Sequence, residues 1–252
     1  MGGAGARASV VVVSPASAAR GSRDSCVRKD VMRLDTVAIV PAGGAARRLG
    51  PIAAGGKAAV DCGGRTLLDR VCTALASEVS RVIVVAAPHT RLPPVAIAVE
   101  VIHDSVAGAG PLAAVRDGLV HACAAAPRPR LAVLCACDLP LLNAGVVARL
   151  IDVAAAPGVR WVLPVVDGHP QPLLSVIAVD LLPEIKVSCA AGGRSLRDLA
   201  ASIARAAPGA VLTVGADELR GADPALDSFR DVDTPEDRAA VERLGEPRPR
   251  AG

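Results

Sequence analysis

Three places in this 252-residue chain put side chains capable of chemistry where an apolar run stops. In "AIVPAGGAARRLGPIAAGGKAAV" (38–60) two glycine pairs, Arg47, Arg48 and Lys57 follow such a run. Glycines let the backbone approach a phosphate and offer free N–H groups, and cations offset its charge. The GxxxxGK[ST] order of a Walker A loop is absent, because Ala58 follows Lys57, and so is GxGxxG. On spacing alone, a phosphate cradle and a flexible turn in a Gly- and Ala-rich chain both fit. Asp104 closes a second apolar run, and Asp138 closes the third, "RLAVLCACDLP" (130–140), the most apolar of all. A lone carboxylate there must be solvated by a ligand, a metal or the edge of the fold. The alternative, a cap for the next helix, is weakened by Pro140 and by the better-placed Asn143. A hard cation such as Mg²⁺ takes one or two carboxylates together with phosphate oxygens, which suits Asp138 with a second acid nearby.

The elements that must position these residues follow from patterning. Continuous apolar runs at 36–42, 81–87, 98–104, 130–140, 160–166, 173–179 and 210–216 read as strands, several of them buried on both faces. Segments 65–78, 110–126, about 143–156, about 180–187 and 192–206 lie between them and read as helices. Thr234-Pro-Glu-Asp carries the start signal of a last helix: a cap, proline at the first helical position and acids in the first turn. Alternation of this kind predicts an open parallel α/β sheet flanked by helices. Ligands bind such sheets beyond the carboxyl ends of the strands. Gly43-Gly44, Asp104 and Asp138 are therefore expected along one edge.

Composition narrows the function. Hydrophobic residues make up 52% of the chain and aromatics 1%, so Ala, Val, Leu and Ile must fill the core. The positive charge sits in the ends: residues 1–33 carry six Arg/Lys against two Asp, whereas 34–245 is slightly acidic. With few aromatics to stack on bases, nucleic-acid binding is not expected. Apolar runs fall far short of the ~20 residues that span a bilayer, so no membrane role is expected either. Seven cysteines without a CxxC pair read as buried, reduced thiols of a cytoplasmic protein. Residues 1–33 hold a basic start and "ASVVVVSPASA", too short in its apolar part for a secretory signal. They are expected to be a disordered extension, with Met32 as a candidate start. The Pro/Arg-rich tail 246–252 is expected to be disordered as well.

"PAGGAARRLG" with Lys57 resembles the LAGGxxxRxGxxK signature of MobA-like nucleotidyltransferases, the family of molybdenum cofactor guanylyltransferases. "HDSVAGAGPLAAV" (103–115), "CDLP" (137–140), "DGHPQPLL" (167–174) and "DVDTPED" (231–237) are similar to that family's later elements, in order. Departures are Pro41 for the usual Leu, extra residues between Gly50 and Lys57 expected to bulge, and Asp231 and Asp233 where the family has Asn.

The resemblance implies a three-layer, mostly parallel Rossmann-like sheet of the nucleotide-diphospho-sugar transferase type over residues 34–245. It implies transfer of a nucleoside monophosphate, GMP from GTP, onto the phosphate of molybdopterin, with pyrophosphate leaving. A cytidylyltransferase acting on the same or another small phosphorylated acceptor, and a nucleotide-binding protein without catalysis, are the alternatives. Arg48, Lys57 and Asp138 are the implied catalytic residues. Ala42, Gly43, Gly44 and Asp104 join them in holding the nucleotide. Asp138 and Asp233 would hold Mg²⁺. His169, Arg194 and Arg197 are candidates for the acceptor, and contact with molybdoenzyme maturation proteins is also implied.

Overall fold

The computed structural model describes residues 9–11, 35–43, 47–105 and 108–245. The expected extension and tail, apart from residues 9–11, lie outside these, as does Gly44. Nine strands form one sheet: β1 (Ser9–Val11), β2 (Thr36–Pro41), β3 (Arg81–Ala86), β4 (Val99–His103), β5 (Leu131–Cys135), β6 (Trp161–Val166), β7 (His169–Pro170), β8 (Leu174–Ala178) and β9 (Val211–Gly215). Their order is β1-β4-β3-β2-β5-β8-β6-β7, with β9 on β6. Strands β4, β3, β2 and β5 run parallel, and β9 is parallel to β6.

The parallel pattern breaks at β8, which is antiparallel to both β5 and β6. Residues 167–173 between β6 and β8 are too few for a parallel crossover, which needs a dozen or more. The chain therefore turns back as a hairpin, and that turn lands beside the carboxyl end of β5, where Ala136 N–H donates to the Leu173 carbonyl at 2.8 Å.

Helices cover both faces. On one lie α1 (Leu67–Ala76) and α3 (Ala144–Ala154), packed on Ala38, Val40, Val82, Val84 and Val133. On the other, α2 (Pro111–Ala124), α4 (Leu182–Ala190) and α5 (Leu196–Ala206) pack on Val37, Ile39, Ile83, Val85 and Leu134. Alternate residues of β2, β3 and β5 enter opposite cores, as the period of two requires. Helix α2 comes so close to β2 that a Cβ on Gly118 would lie 2.6 Å from Ile39 Cγ2. Among the described residues the remaining α-helices are the four-residue α6 (Ala216–Leu219) and the eleven-residue α7 (Pro235–Gly245).

The single tryptophan, Trp161, is fully buried, and its Nε1–H donates to Ser175 Oγ at 3.1 Å. Ser175 in turn donates to the Pro172 carbonyl at 2.7 Å. A buried indole N–H is thus satisfied, and the hairpin turn is pinned to the core.

β2 has β3 on one side and β5 on the other, each reached by a separate crossover. The crevice at its carboxyl end is the topological switch point, where open α/β sheets take ligands.

Candidate functional site

Each candidate at this edge is mounted next to a buried neighbour. Arg48 precedes Leu49, Lys57 precedes Ala58, Asp138 lies between Cys137 and Leu139, and Val232 separates Asp231 from Asp233. Burial of the neighbours fixes the backbone from which these polar side chains project.

The first loop begins with Ala42, whose N–H donates to the Val85 carbonyl at 2.8 Å. Beyond it, 3₁₀ turns at Arg47–Ala53 and Lys57–Ala59 bracket the extra residues. Gly50 (φ 57°) and Gly56 (φ 86°) make the two reversals that an L side chain would resist. Pro51, Ile52, Ala54 and Gly55 project into solvent, while Leu49 and Ala58 are buried at either end. The expected bulge is present, and it returns Lys57 to the sheet edge.

There the Lys57 ammonium bonds to Asp138 and to Asp233, and Arg48 pairs with the other oxygen of Asp233 at 2.8 Å. Burial alone would lower the Lys57 pKa, but the two carboxylates outweigh it and hold it above its ordinary value. Oxygens of Asp138, Asp231 and Asp233 lie within 4.8 Å of one another. Burial and the charges of Asp138 and Asp233 push the Asp231 carboxyl up. Three hard oxygen donors at this spacing fit a divalent cation of the Mg²⁺ class.

The loop carrying Asp231 and Asp233 is tied at both ends. Val232 N–H donates to the Asp138 carbonyl at 3.1 Å. Asp237 accepts from the N–H groups of Asp233 (3.1 Å) and Thr234 (2.8 Å), and Thr234 Oγ1 accepts from Asp237 N–H at 3.2 Å. The Thr234 cap expected at the start of α7 is present, and Asp237 makes it reciprocal. Likewise Asn143, not Asp138, caps α3, accepting from Gly145 N–H at 2.8 Å. Asp138 is left to the site.

Two clefts of about 330 Å³ each share Asp138. One is bounded by Gly43, Lys57, Asp104, Gly110 and Pro111. A Cβ on Gly43 would stand 3.4 Å from both Asp104 Oδ2 and Ala87 Cβ, so a side chain there would rest against Asp104 in this cleft. Asp104 Oδ1 is buried with no hydrogen-bond partner among the described residues. Burial, then the charge of Asp117, pushes its carboxyl up to about 6. An unsatisfied buried acceptor of this kind calls for a donor from a ligand.

The second cleft lies between Asp138, Asp231, Gln171, Leu173, Arg197 and Phe229. Of the acceptor candidates the structure brings only Arg197 to it. His169 is exposed, on a strand whose pairing with Val166 sets it apart from the cleft lining. Arg194 donates to the Gly108 carbonyl and lines a separate groove between α4 and α5. Phe229 and Gln171 were not anticipated. The signals were slight: Phe229 is the sole phenylalanine of the chain, and Gln171 sits two residues beyond His169.

The described cysteines are unpaired thiols, as expected, but only Cys62, Cys72, Cys135 and Cys137 are buried; Cys123 and Cys189 are partly exposed, and Cys26 lies outside the described residues. Burial pushes Cys72 and Cys135 far up and Cys137 to about 12, so none supplies a thiolate nucleophile here. Among the described residues no helix is long and apolar enough to cross a membrane.

A family model described as MobA-like NTP transferase domain matches residues 38–219. A probable molybdenum cofactor guanylyltransferase of Mycobacterium avium is 37% identical over 163 residues, covering 64% of this chain and 78% of that protein. Its counterpart in Mycobacterium marinum is 33% identical over 164 residues, 65% of this chain and 78% of that one. Among solved structures, molybdopterin-guanine dinucleotide biosynthesis protein A from Archaeoglobus fulgidus superposes with a TM-score of 0.66 at 24% identity, over 83% of this chain and 97% of that one. The 2-C-methyl-D-erythritol 4-phosphate cytidylyltransferase of Thermus thermophilus gives 0.61 at 22% identity, over 84% and 98%. These two likenesses show the fold.

Proposed function

Because the chain belongs to the MobA-like NTP transferase family and is a nucleotidyltransferase, we propose that it moves GMP from GTP onto the phosphate of molybdopterin, releasing pyrophosphate. The observation that carries this reading is Asp138 standing between two clefts, with cations on the side of the glycine loop.

The glycine-loop cleft takes the nucleotide. Asp104 accepts from a ribose hydroxyl or a guanine N–H, and Gly43 admits the ligand. An oxygen of the acceptor phosphate attacks the α-phosphorus of GTP. One P–O bond forms, the bond to the β-phosphate bridge breaks, and its electron pair leaves on pyrophosphate. The attacking oxygen is already anionic, and the bridging oxygen leaves as an anionic oxygen of pyrophosphate, so no side chain need remove or supply a proton. The demand is to offset negative charge, which Lys57 and Arg48 meet. Asp138 and Asp233, with Asp231 beside them, would hold Mg²⁺, which when bound supplies further charge neutralisation at the phosphates. The unpaired thiols of the described cysteines support a cytoplasmic location for this reaction.

Incubation with Mg²⁺, molybdopterin and each NTP in turn tests this by pyrophosphate release. Release with GTP alone is expected. Release with CTP instead would make the protein a cytidylyltransferase, and binding without release would make it a nucleotide-binding protein without catalysis.

A further inference from the structure

The acceptor-side cleft holds groups that the transfer reaction does not by itself require. Phe229 is the only phenylalanine in a chain that has no tyrosine and a single, buried tryptophan. Its ring is partly buried against the core and partly open to the cleft. A rigid turn mounts it: Phe229 N–H donates to the Leu226 carbonyl at 3.1 Å, Ser228 N–H to Asp223 at 2.7 Å, and Asn143 N–H to Ser228 Oγ at 2.9 Å.

Across the cleft, the backbone of Gln171 is fixed by bonds to Pro164 and Leu174, within the turn that Trp161 and Ser175 pin. Its side-chain amide has no partner among the described residues, and neither has the Arg197 guanidinium. Among the described residues the cleft lining contains two carboxylates, Asp138 and Asp231, and one cation, Arg197. An anionic ligand entering there meets the unpaired Arg197 guanidinium, with the Lys57 ammonium behind Asp138.

We propose that Phe229, Gln171 and Arg197 form a subsite for a flat, phosphorylated heterocycle of the pterin class. The ring system stacks on Phe229, the Gln171 amide pairs with its donor–acceptor edge, and Arg197 offsets the charge of the phosphate that is presented at Asp138. This rests on the reading that the acceptor is molybdopterin, and it assigns how that acceptor is recognised. Phe229 acts in specificity and positioning, not in the bond-making step.

The test uses the full chain with neopterin monophosphate as probe, read by quenching of pterin fluorescence. Stacking of a planar heterocycle on an aromatic side chain is worth roughly five- to hundredfold in affinity. Phe229→Leu keeps the apolar volume under the turn and should weaken binding by that factor, while Phe229→Trp should restore it. Arg197→Gln should weaken binding of the phosphorylated pterin and leave unphosphorylated neopterin unaffected. In turnover, Phe229→Leu should raise KM for the acceptor but not for GTP. Wild-type protein that fails to bind the probe, or Phe229→Leu that binds it as wild type does, overturns the subsite. If wild type releases pyrophosphate while Phe229→Leu has an unaltered acceptor KM, the subsite fails and the activity stands. If the probe binds through Phe229 but no NTP is turned over, the activity fails and the subsite stands.

Discussion

Replacing Lys57 by glutamine should tighten binding of a divalent cation to the nucleotide-free protein while slowing transfer. The Lys57 ammonium is bonded to two of the three carboxylates that fit a cation, with side chains only 11% (Lys57) and 17% (Asp138) exposed. It occupies the electrostatic place that a metal would also use. A divalent ion about 4 Å from an ammonium is opposed by about 2 kcal/mol even at the dielectric of bulk water. Partial burial increases that figure, and the flexible lysine stem, which lets the charge retreat, reduces it. The expected gain on Lys57→Gln is therefore about ten- to thirtyfold in affinity for Mg²⁺ or Mn²⁺. Calorimetric titration of each protein with Mn²⁺, without nucleotide, measures it directly. Pyrophosphate release by the same variant should fall, because the lysine also faces the phosphates. Unchanged or weaker Mn²⁺ binding would show that Lys57 does not compete for the carboxylates, and the charge argument for the site would be refuted.

Asp138→Ala should abolish pyrophosphate release with the circular dichroism spectrum unaltered, and turnover at the wild-type rate would remove Asp138 from the metal site. Asp104, with its carboxyl pushed up to about 6, should make GTP binding weaken as pH falls through about 6, since the protonated group loses acceptor capacity. A titration of KM for GTP between pH 5 and 8, flattened in Asp104→Asn, checks this. The sign for stability is opposite: a raised carboxyl pKa favours the fold at low pH and the benefit is lost as pH rises through about 6. Asp104→Asn should therefore raise Tm at pH 7.5 even as it impairs GTP binding, and a lower Tm would contradict the burial argument. Gly118→Ala forces a Cβ against Ile39 where α2 packs on β2, and should cost about 1–3 kcal/mol in a denaturant titration.

Much of this architecture was legible because it rests on local signals. Runs such as 131–135 are apolar over every residue, which only a strand buried on both faces explains. The caps at Asn143 and Thr234 are written in residue type and spacing, and Asn143, not Asp138, caps α3 as that spacing predicts. What the sequence hid is tertiary. The reversal at β8 followed from the shortness of residues 167–173, a length rule rather than a pattern. Arg194 and Arg197 look equivalent in "GGRSLRDL", but Ser195 caps α5 between them, so only Arg197 lies on the helix and Arg194 turns to Gly108. His169 and Gln171 share one short loop, and β7 pairing separates them. Phe229 carries no periodicity at all, and its importance is visible only once its turn is seen against Asp138 and Gln171.

The burial of Trp161 also gives the molecule an optical property. With no tyrosine and one tryptophan, near-ultraviolet emission comes from a single indole, fully enclosed and hydrogen-bonded under the hairpin turn that borders the acceptor cleft. Its spectrum is blind to the surface. A red shift reports water reaching that one place, so solvent entry beneath the turn can be followed in the unlabelled protein, separately from the loss of helical signal elsewhere.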